Sequence, residues 1–221
     1  MNPVREQSSY MSNVVDAAVD DVDLTCHHAV ATKNRGFIVK PDNPGSWDGT
    51  RNYLFKISGE SDADWAKDPT RKSICSGCTF LNGAMIKMFS NMMKVIALST
   101  TESELNAAVL EAMDMMLCYY IMKGMRLTVE LPMKLYVDNK GTVQLANNWS
   151  VGGRTRHIGA KTNFLRSLKE MGFIHILYKK GTELIPDIGT KNVTKKDFVH
   201  NTNKIMRPKM SSEGVGINMI D

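Results

Sequence analysis

The stretch Lys134-Leu135-Tyr136-Val137-Asp138-Asn139-Lys140 decides how the rest of this chain is interpreted. Its β-branched and aromatic residues follow Pro132 and predict a short strand that ends at Asp138. Asn139 has the residue type that begins a helix, which we expect to extend through Ala146. A carboxylate at the carboxyl end of a strand stands where α/β sheets bind their ligands. On this stretch alone, capping of the helix explains Asp138 equally well.

The composition is that of an ordinary globular protein. The chain has 221 residues, 43% apolar and 23% charged, which suffices for one substantial domain with an appendage. No apolar run approaches the roughly 20 residues of a membrane span, and the first residues lack an apolar signal core. The four cysteines form no dense framework. We therefore expect a reducing, intracellular compartment, cytoplasmic or nuclear, and no membrane partner.

Positive charge is concentrated in one part of the chain. The net charge is +5, and the segment from Arg154 to Lys180 has one acidic residue, Glu170. Its basic residues are Arg154, Arg156, Lys161, Arg166, Lys169, Lys179 and Lys180. Such a run is either a solvated face or a surface for nucleic-acid phosphates, and the charge alone leaves both open.

The first half of the domain predicts a sheet that contains a hairpin. The expected strands are 53–58, 73–81, 84–89 and 94–98. Asn82-Gly83 separates the second strand from the third, and this dipeptide tolerates the positive φ angles of a tight turn. We expect Gly59 to break the first strand, so that Asp62 follows the strand rather than lying within it.

A long helix is expected from residue 99 to about residue 123. Two capping boxes compete for its start, Ser99 with Glu102 and Thr101 with Glu104. One apolar face follows the 3.6-residue period: Leu105, Ala108, Val109, Ala112, Met116, Tyr119 and Tyr120. Glu104 lies at the edge of that face in the first turn, so it is either a cap or a side chain directed into a site.

The second half alternates helix and strand. A helix is predicted over 161–171, a strand over 173–178 and a loop over 179–185. Pro186-Asp187 introduces a last helical segment, which Asp187 could cap. Each of the four boundary carboxylates (Asp62, Glu104, Asp138 and Asp187) therefore has a purely structural explanation when it is taken alone.

Six motifs accompany these carboxylates in order along the chain. They are Ser61-Asp62-Ala63-Asp64-Trp65-Ala66; Arg71-Lys72-Ser73 with Ser76-Gly77; Val95-Ile96-Ala97-Leu98-Ser99-Thr100-Thr101-Glu102-Ser103-Glu104-Leu105; Val137-Asp138-Asn139-Lys140; Leu145-Ala146-Asn147-Asn148-Trp149-Ser150-Val151-Gly152-Gly153-Arg154-Thr155-Arg156-His157-Ile158; and Asp187-Ile188-Gly189-Thr190-Lys191-Asn192. In this order the chain resembles ribonuclease H, and more narrowly the ribonuclease H domain that follows the polymerase in copia-type retrotransposon polyproteins (reverse transcriptase, copia-type).

The resemblance implies an α/β fold of the ribonuclease H-like type, a mixed five-stranded sheet with helices on both faces. It implies three parts. Residues 1–50 would be a tail and a remnant of the connection between polymerase and ribonuclease H, and residues 51–205 the ribonuclease H-like domain. Residues 206–221 would be a frayed tail. The chain is then expected to be a truncated fragment that lacks the polymerase, which a separate reverse transcriptase polymerase domain could supply as a partner.

The resemblance also implies a chemistry. Asp62, Glu104, Asp138 and Asp187 match four carboxylates that bind two Mg²⁺ ions, for which Mn²⁺ can substitute. The motif matches favour Asp62 over Asp64 and Glu104 over Glu102. The implied enzyme is an endonuclease, a hydrolase that cuts the RNA strand of RNA–DNA hybrids. Residues expected to contact the hybrid are Asn139, Asn148, Arg154, Arg156, His157, Lys161, Lys179 and Lys180.

Three positions depart from the family pattern. Gly159 replaces an aspartate after His157-Ile158, Asn163 replaces a frequent histidine, and Cys78 stands where an aromatic residue is usual. None of the three is an implied metal ligand. They support an alternative hypothesis, in which the chain is a catalytically inactive retrotransposon remnant that at most binds nucleic acid.

Overall fold

The computed structural model describes residues 35–37, 53–66, 68–147, 159–190 and 195–208. Their strands are β1 (Arg35–Phe37), β2 (Leu54–Phe55), β3 (Ile57–Asp64), β4 (Ile74–Leu81), β5 (Ala84–Met92), β6 (Thr128–Val129), β7 (Met133–Val137), β8 (Ile174–Tyr178) and β9 (Met206–Pro208). Their helices are α1 (Thr100–Gly124), α2 (Lys140–Asn147), α3 (Gly159–Glu170), α4 (Asp187–Thr190) and α5 (Lys195–Ile205).

The main sheet has five strands in the order β5-β4-β3-β7-β8. β3 is antiparallel to β4 and parallel to β7, while β5 and β8 extend the sheet antiparallel and parallel, respectively. The sheet is therefore mixed, as predicted. Asn82 and Gly83 join β4 to β5 with φ angles of 48° and 81°, which confirms the predicted hairpin turn.

Helices cover both faces of this sheet. α1 packs on the first face, where Leu105, Ala112 and Met115 belong to one core with Leu135 of β7 and Leu165 of α3. The second face is covered by the segment that contains α4 and by α5. Its smaller core consists of Cys78, Phe80, Ile185 and Ile205. The prediction of helices on both faces is confirmed.

The predicted break at Gly59 is wrong, because β3 continues through this glycine to Asp64. A Cβ atom on Gly59 would lie 2.5 Å from Met115 Sδ and 2.7 Å from Glu111 Oε1. The glycine therefore marks a close approach of α1 to the sheet rather than the end of a strand. As a consequence, Asp62 lies within β3 and not after it.

The predicted strand over 94–98 is also wrong. β5 ends at Met92, and Val95 and Leu98 are 74% and 72% exposed. The Trp65 indole N–H donates to the Ala97 carbonyl at 2.9 Å, so this segment is a loop that leads into α1. Apolar residue type alone suggested a strand here, but within the described part of the chain no strand pairs with this segment.

α1 begins as the first of the two capping boxes predicts. The Ser99 hydroxyl accepts a hydrogen bond from the Glu102 N–H at 3.1 Å, and Glu102 Oε2 accepts one from the Leu98 N–H at 2.7 Å. By length and composition alone α1 could cross a membrane, but half of its most apolar window is buried inside the domain. Such burial is ordinary for the core helix of a globular domain.

The small sheets lie outside the main one. β1 pairs antiparallel with β9, and β2 pairs parallel with β6. Because β1 and β9 come from the segments expected to be tails, the pairing joins parts that the sequence assigned to separate regions. The division at residues 50 and 205 stays a prediction.

Candidate metal centre

Three of the four predicted carboxylates converge at one edge of the sheet. β3 and β7 are parallel neighbours, and Ser61 is paired with Val137, so Asp62 and Asp138 follow at adjacent positions. Glu104 reaches the same point from the first turns of α1. One carboxylate oxygen from each residue lies within 4.8 Å of the other two. Asp62 and Glu104 are buried, and Asp138 is half-buried.

The helix-capping roles considered for Asp138 and Glu104 are filled by the nearby residues Asn139 and Glu102. Asn139 Oδ1 accepts a hydrogen bond from the Thr142 N–H at 2.9 Å, so Asn139 and not Asp138 caps α2. Glu102 serves the start of α1. Residues two positions apart in a helix differ by about 200° around its axis. Glu104 therefore points away from Glu102 and towards the sheet. The structure thus leaves Asp138 and Glu104 in the cluster.

Burial, together with the neighbouring carboxylates, makes the ionised form of Glu104 unfavourable. Burial first, and then the charges of Asp62 and Asp138, raise the pKa of Glu104 to about 10. A hydrogen bond with Asp138 acts in the same direction, while one from the Ala63 backbone opposes it. Glu104 Oε2 is buried and has no hydrogen-bond partner among the described residues.

This donor set fits a divalent cation. Hard carboxylate oxygens are the ligands that Mg²⁺ and Mn²⁺ prefer, and a buried cation would offset the repulsion between the acids. The cluster of Asp62, Glu104 and Asp138 could therefore bind a metal ion.

Asp187 is placed beside the cluster rather than within the group of three. It begins α4 and is buried. One turn later, the Thr190 hydroxyl donates to Asp62 Oδ2 and contacts the Asp187 carbonyl at 3.2 Å. The hydroxyl therefore links the helix that starts at Asp187 to β3 at the edge of the site.

The loop after β8 also borders the cluster. A Cβ atom on Gly181 would lie 2.6 Å from Asp138 Oδ2. A larger residue here would displace the Asp138 carboxylate, so the close approach requires glycine.

Two residues that lie near the site, Thr190 and Glu60, were not identified from the sequence. Thr190 lies three residues after Asp187, a separation that places both on one side of a helical turn. Glu60 precedes Asp62 by two residues, so strand alternation places both side chains on the same face of β3. Glu60 is buried and accepts hydrogen bonds from the Ile185 N–H and the Lys179 ammonium. The period-two spacing from Asp62 could have identified Glu60 as a residue near the site. Its hydrogen-bond partners could not be identified from the sequence, because they lie more than a hundred residues away.

The predicted nucleic-acid contacts are only partly within the described residues. Asn148, Arg154, Arg156 and His157 lie outside the described ranges. Asn139 is half-buried at the start of α2, and Lys161 and Lys180 are exposed. Lys179 is half-buried, and its ammonium pairs with Glu60.

Two other basic side chains of this segment bind the end of α2. Arg166 Nε donates to the Leu145 carbonyl at 2.9 Å, and Lys169 Nζ donates to the Asn147 carbonyl at 3.2 Å. Basic groups are expected at the unpaired carbonyls of a helix terminus. Part of the basic run therefore stabilises the fold.

The chain is similar to the retrovirus-related Pol polyprotein from transposon RE1 of Arabidopsis thaliana, with 22% identity over 203 residues. This alignment covers 91% of the chain and 13% of the polyprotein. The Pol polyprotein from transposon TNT 1-94 of Nicotiana tabacum is 27% identical over 143 residues, which cover 64% of this chain and 11% of that one. No protein-family model matches the chain.

Among solved structures, the chain is similar to LC11-RNase H1 in complex with an RNA/DNA hybrid. The two are 13% identical with a TM-score of 0.44, and the match covers 57% of this chain and 86% of that one. The similarity to Pol polyproteins extends over most of the chain and bears out the resemblance that the motifs indicated. The chain is therefore similar to a short segment of retrovirus-related Pol polyproteins of plant transposons, and its mixed five-stranded sheet is the architecture that the motif resemblance implied.

Proposed function

We propose that this protein hydrolyses the RNA strand of RNA–DNA hybrids with the help of two divalent cations, Mg²⁺ or Mn²⁺. The observation that carries the proposal is the meeting of Asp62, Glu104 and Asp138, with ligand oxygens within 4.8 Å of one another. They meet at the adjacent ends of two parallel strands in a ribonuclease H-like sheet. The similarity to transposon Pol polyproteins supports a nucleic-acid substrate.

In this proposal Asp62, Glu104 and Asp138 hold the cations, and Asp187 contributes from the edge of the site. The chemistry that two such ions would supply when bound is activation of a water molecule and stabilisation of the leaving oxygen of the phosphodiester. The protein's own contribution is to fix the ligands: the Thr190 hydroxyl orients Asp62, and burial of Asp62 and Glu104 keeps bulk water from competing for their oxygens. Cleavage would leave a 3′-hydroxyl and a 5′-phosphate.

Binding of the hybrid is assigned to polar and basic side chains that are at least partly exposed. Lys161 and Lys180 are exposed and suited to phosphate contacts, which would make affinity strongly dependent on salt and independent of sequence. Recognition of RNA requires contacts to 2′-hydroxyls. The Asn139 side chain is a candidate, because the cap uses its carbonyl oxygen and leaves the amide N–H groups as donors.

The test is cleavage of an end-labelled RNA–DNA hybrid in Mg²⁺ or Mn²⁺ by the wild-type protein and by Asp138→Asn. Loss of several kcal/mol of transition-state stabilisation predicts a rate reduced by at least about 100-fold in Asp138→Asn. Asp114→Asn is the matched control, because Asp114 pairs with Lys87 of β5 and lies ten residues along α1 from Glu104. It should cleave at the wild-type rate, and double-stranded DNA should remain intact with all three proteins.

Equal cleavage by the wild type and Asp138→Asn would contradict the proposal and would point to a contaminating nuclease. Hybrid binding without cleavage by any of the folded proteins would favour the alternative, an inactive remnant that retains nucleic-acid binding. Cleavage is read from a denaturing gel and binding from a native mobility-shift gel, with folding of both variants checked by circular dichroism.

A further inference from the structure

Glu60 is a buried carboxylate that the proposed chemistry does not use. It is 6% exposed and lies on β3, on the same face as Asp62. Its Oε2 accepts a hydrogen bond from the Ile185 N–H at 2.9 Å, and its Oε1 accepts one from the Lys179 ammonium. Both oxygens are therefore engaged by the chain that follows β8.

The lysine of this pair is itself held in place. The Lys179 N–H donates to the Val137 carbonyl at 2.9 Å, which continues the pairing of β7 and β8 by one residue. Its ammonium lies 5.5 Å from the centre of the Tyr136 ring. The pair is substantially shielded from water, with side-chain exposures of 26% for Lys179 and 8% for Glu60.

The segment that Glu60 holds carries the fourth carboxylate. Ile185 precedes Asp187 by two residues, and residues 184–187 are all buried. The segment is attached to β3 at two points, by Glu60 at Ile185 and by Asp62 at Thr190. On β3 the two attachment points, Glu60 and Asp62, are two residues and about 7 Å apart. On the segment, Asp187 lies between Ile185 and Thr190, the residues that these two side chains bind.

We propose that Glu60 is a positioning residue, which holds the segment from Ile185 to Thr190 against β3 and thereby sets Asp187 at the edge of the carboxylate cluster. This inference rests on the proposed metal site, and it adds to that site a residue that binds no metal itself. The Lys179 ammonium balances the buried charge of Glu60, so these two side chains act together.

The energetics of buried ion pairs allow a positioning role for Glu60 to be separated from a role in stability. Replacing a buried ion pair by apolar side chains of similar volume is often neutral or stabilising. The double variant Glu60→Met, Lys179→Met should therefore remain folded while losing the hydrogen bond to Ile185. A purely structural role would leave metal binding unchanged in this variant, whereas a positioning role would weaken it.

The experiment measures Mn²⁺ binding by the electron paramagnetic resonance signal of the unbound ion. Loss of a residue that orients metal ligands typically costs 10–100-fold in metal affinity, so the double variant should raise the Mn²⁺ Kd by about tenfold or more. Hydrogen exchange at the Ile185 amide should become faster. Glu60→Gln keeps a carbonyl oxygen for that amide and should recover much of both effects.

Two further variants make the comparison secure. Glu60→Asp retracts the carboxylate by one methylene and should also raise the Mn²⁺ Kd. This single variant tests the proposal if the double variant does not fold. The matched control is Lys56→Met with Glu130→Gln, because this exposed pair lies at the opposite end of the sheet, with 3.8 Å between the charged atoms. The control should bind Mn²⁺ as the wild type does.

The outcomes separate this inference from the proposed function. An unchanged Mn²⁺ Kd in the folded double variant would overturn the role of Glu60, whether or not the wild type cleaves hybrids. Weaker Mn²⁺ binding in the double variant, together with a wild type that cleaves no hybrid, would support Glu60 and refute the proposed activity. A wild type that binds no Mn²⁺ would overturn both.

Discussion

Glu111 offers a quantitative test of the packing between α1 and the sheet. Its side chain is fully buried between Gly59 of β3 and Gly77 of β4, where a Cβ on either glycine would lie closer than 3.0 Å to its carboxylate. The Thr79 hydroxyl donates to Oε1 at 2.7 Å, while Oε2 has no hydrogen-bond partner among the described residues. Glu111→Gln keeps the shape and the Thr79 hydrogen bond but removes the ionisation.

The direction of the pH effect follows from burial. Burial raises the pKa of Glu111 well above its ordinary value of 4.5, and the Thr79 hydrogen bond offsets part of that rise. At any pH between the ordinary pKa and the raised pKa of the folded state, the folded protein holds a proton on Glu111 that the unfolded chain has lost. The contribution of Glu111 to stability is fully present below pH 4.5 and falls as the pH rises towards the folded pKa, by about 1.4 kcal/mol per pH unit.

Urea unfolding at pH 5, 6 and 7 measures this contribution as the difference between the wild type and Glu111→Gln. The difference should shift in favour of the glutamine variant as the pH rises from 5 to 7, with a slope of up to about 1.4 kcal/mol per pH unit. Other titrating groups, Glu104 among them, cancel in the difference. Glu170→Gln, at an exposed position of α3, should leave the pH dependence unchanged. Parallel pH dependences for the wild type and Glu111→Gln would refute the assignment of a neutral, buried Glu111.

Three further substitutions have specific expected results. Asn139→Ala removes the cap of α2 and should lower the free energy of unfolding by about 1 kcal/mol in urea titrations, while Asn139→Ser should retain most of the stability. Thr190→Val removes the hydroxyl that donates to Asp62 and should cost about 1–3 kcal/mol, which Thr190→Ser should restore. Gly181→Ala places a methyl group against Asp138, and it should weaken Mn²⁺ binding in a calorimetric titration with little change in the urea midpoint. Unchanged stability in the first two variants, or unchanged Mn²⁺ affinity in the third, would contradict the corresponding contact.

Gly124→Ala is the control for Gly181→Ala. A Cβ at Gly124 would meet no atom within 4 Å, so this substitution introduces a methyl group without a collision. Mn²⁺ affinity should match that of the wild type. Equal losses in both glycine variants would indicate a general effect of the added methyl group rather than displacement of Asp138.

Local sequence signals predicted the elements whose ends are set by their own residues. The Asn82-Gly83 turn, the Ser99 cap and the strand that ends before Asp138 were all expected, because each depends on backbone preferences or hydrogen bonds within a few residues. The competing cap at Thr101 could not be excluded locally. Only the position of α1 on the sheet shows that Glu104 is directed to the carboxylate cluster.

Errors arose where the partner is distant in sequence. Gly59 was predicted to break the strand because glycine disfavours strands. Its actual role is to leave space for the side chain of Met115, which lies 56 residues later in the sequence. Residues 94–98 have strand-like composition, yet pairing with a neighbour decides whether a strand forms. Glu60 went unnoticed since the Ile185 N–H and Lys179 that it binds are brought to it by the fold. The convergence of Asp62, Glu104 and Asp138 was expected from motif resemblance and not from spacing.

The most direct test of the central claim is the location of a bound metal. Crystals of the wild-type protein grown with Mn²⁺ would be measured at the manganese absorption edge, where anomalous scattering identifies the ion. We expect anomalous density within coordination distance, about 2.0–2.3 Å, of carboxylate oxygens of Asp62, Glu104 and Asp138, with none in crystals of Asp138→Asn. Density elsewhere, or no density between these three carboxylates at saturating Mn²⁺, would contradict the assignment of the metal centre.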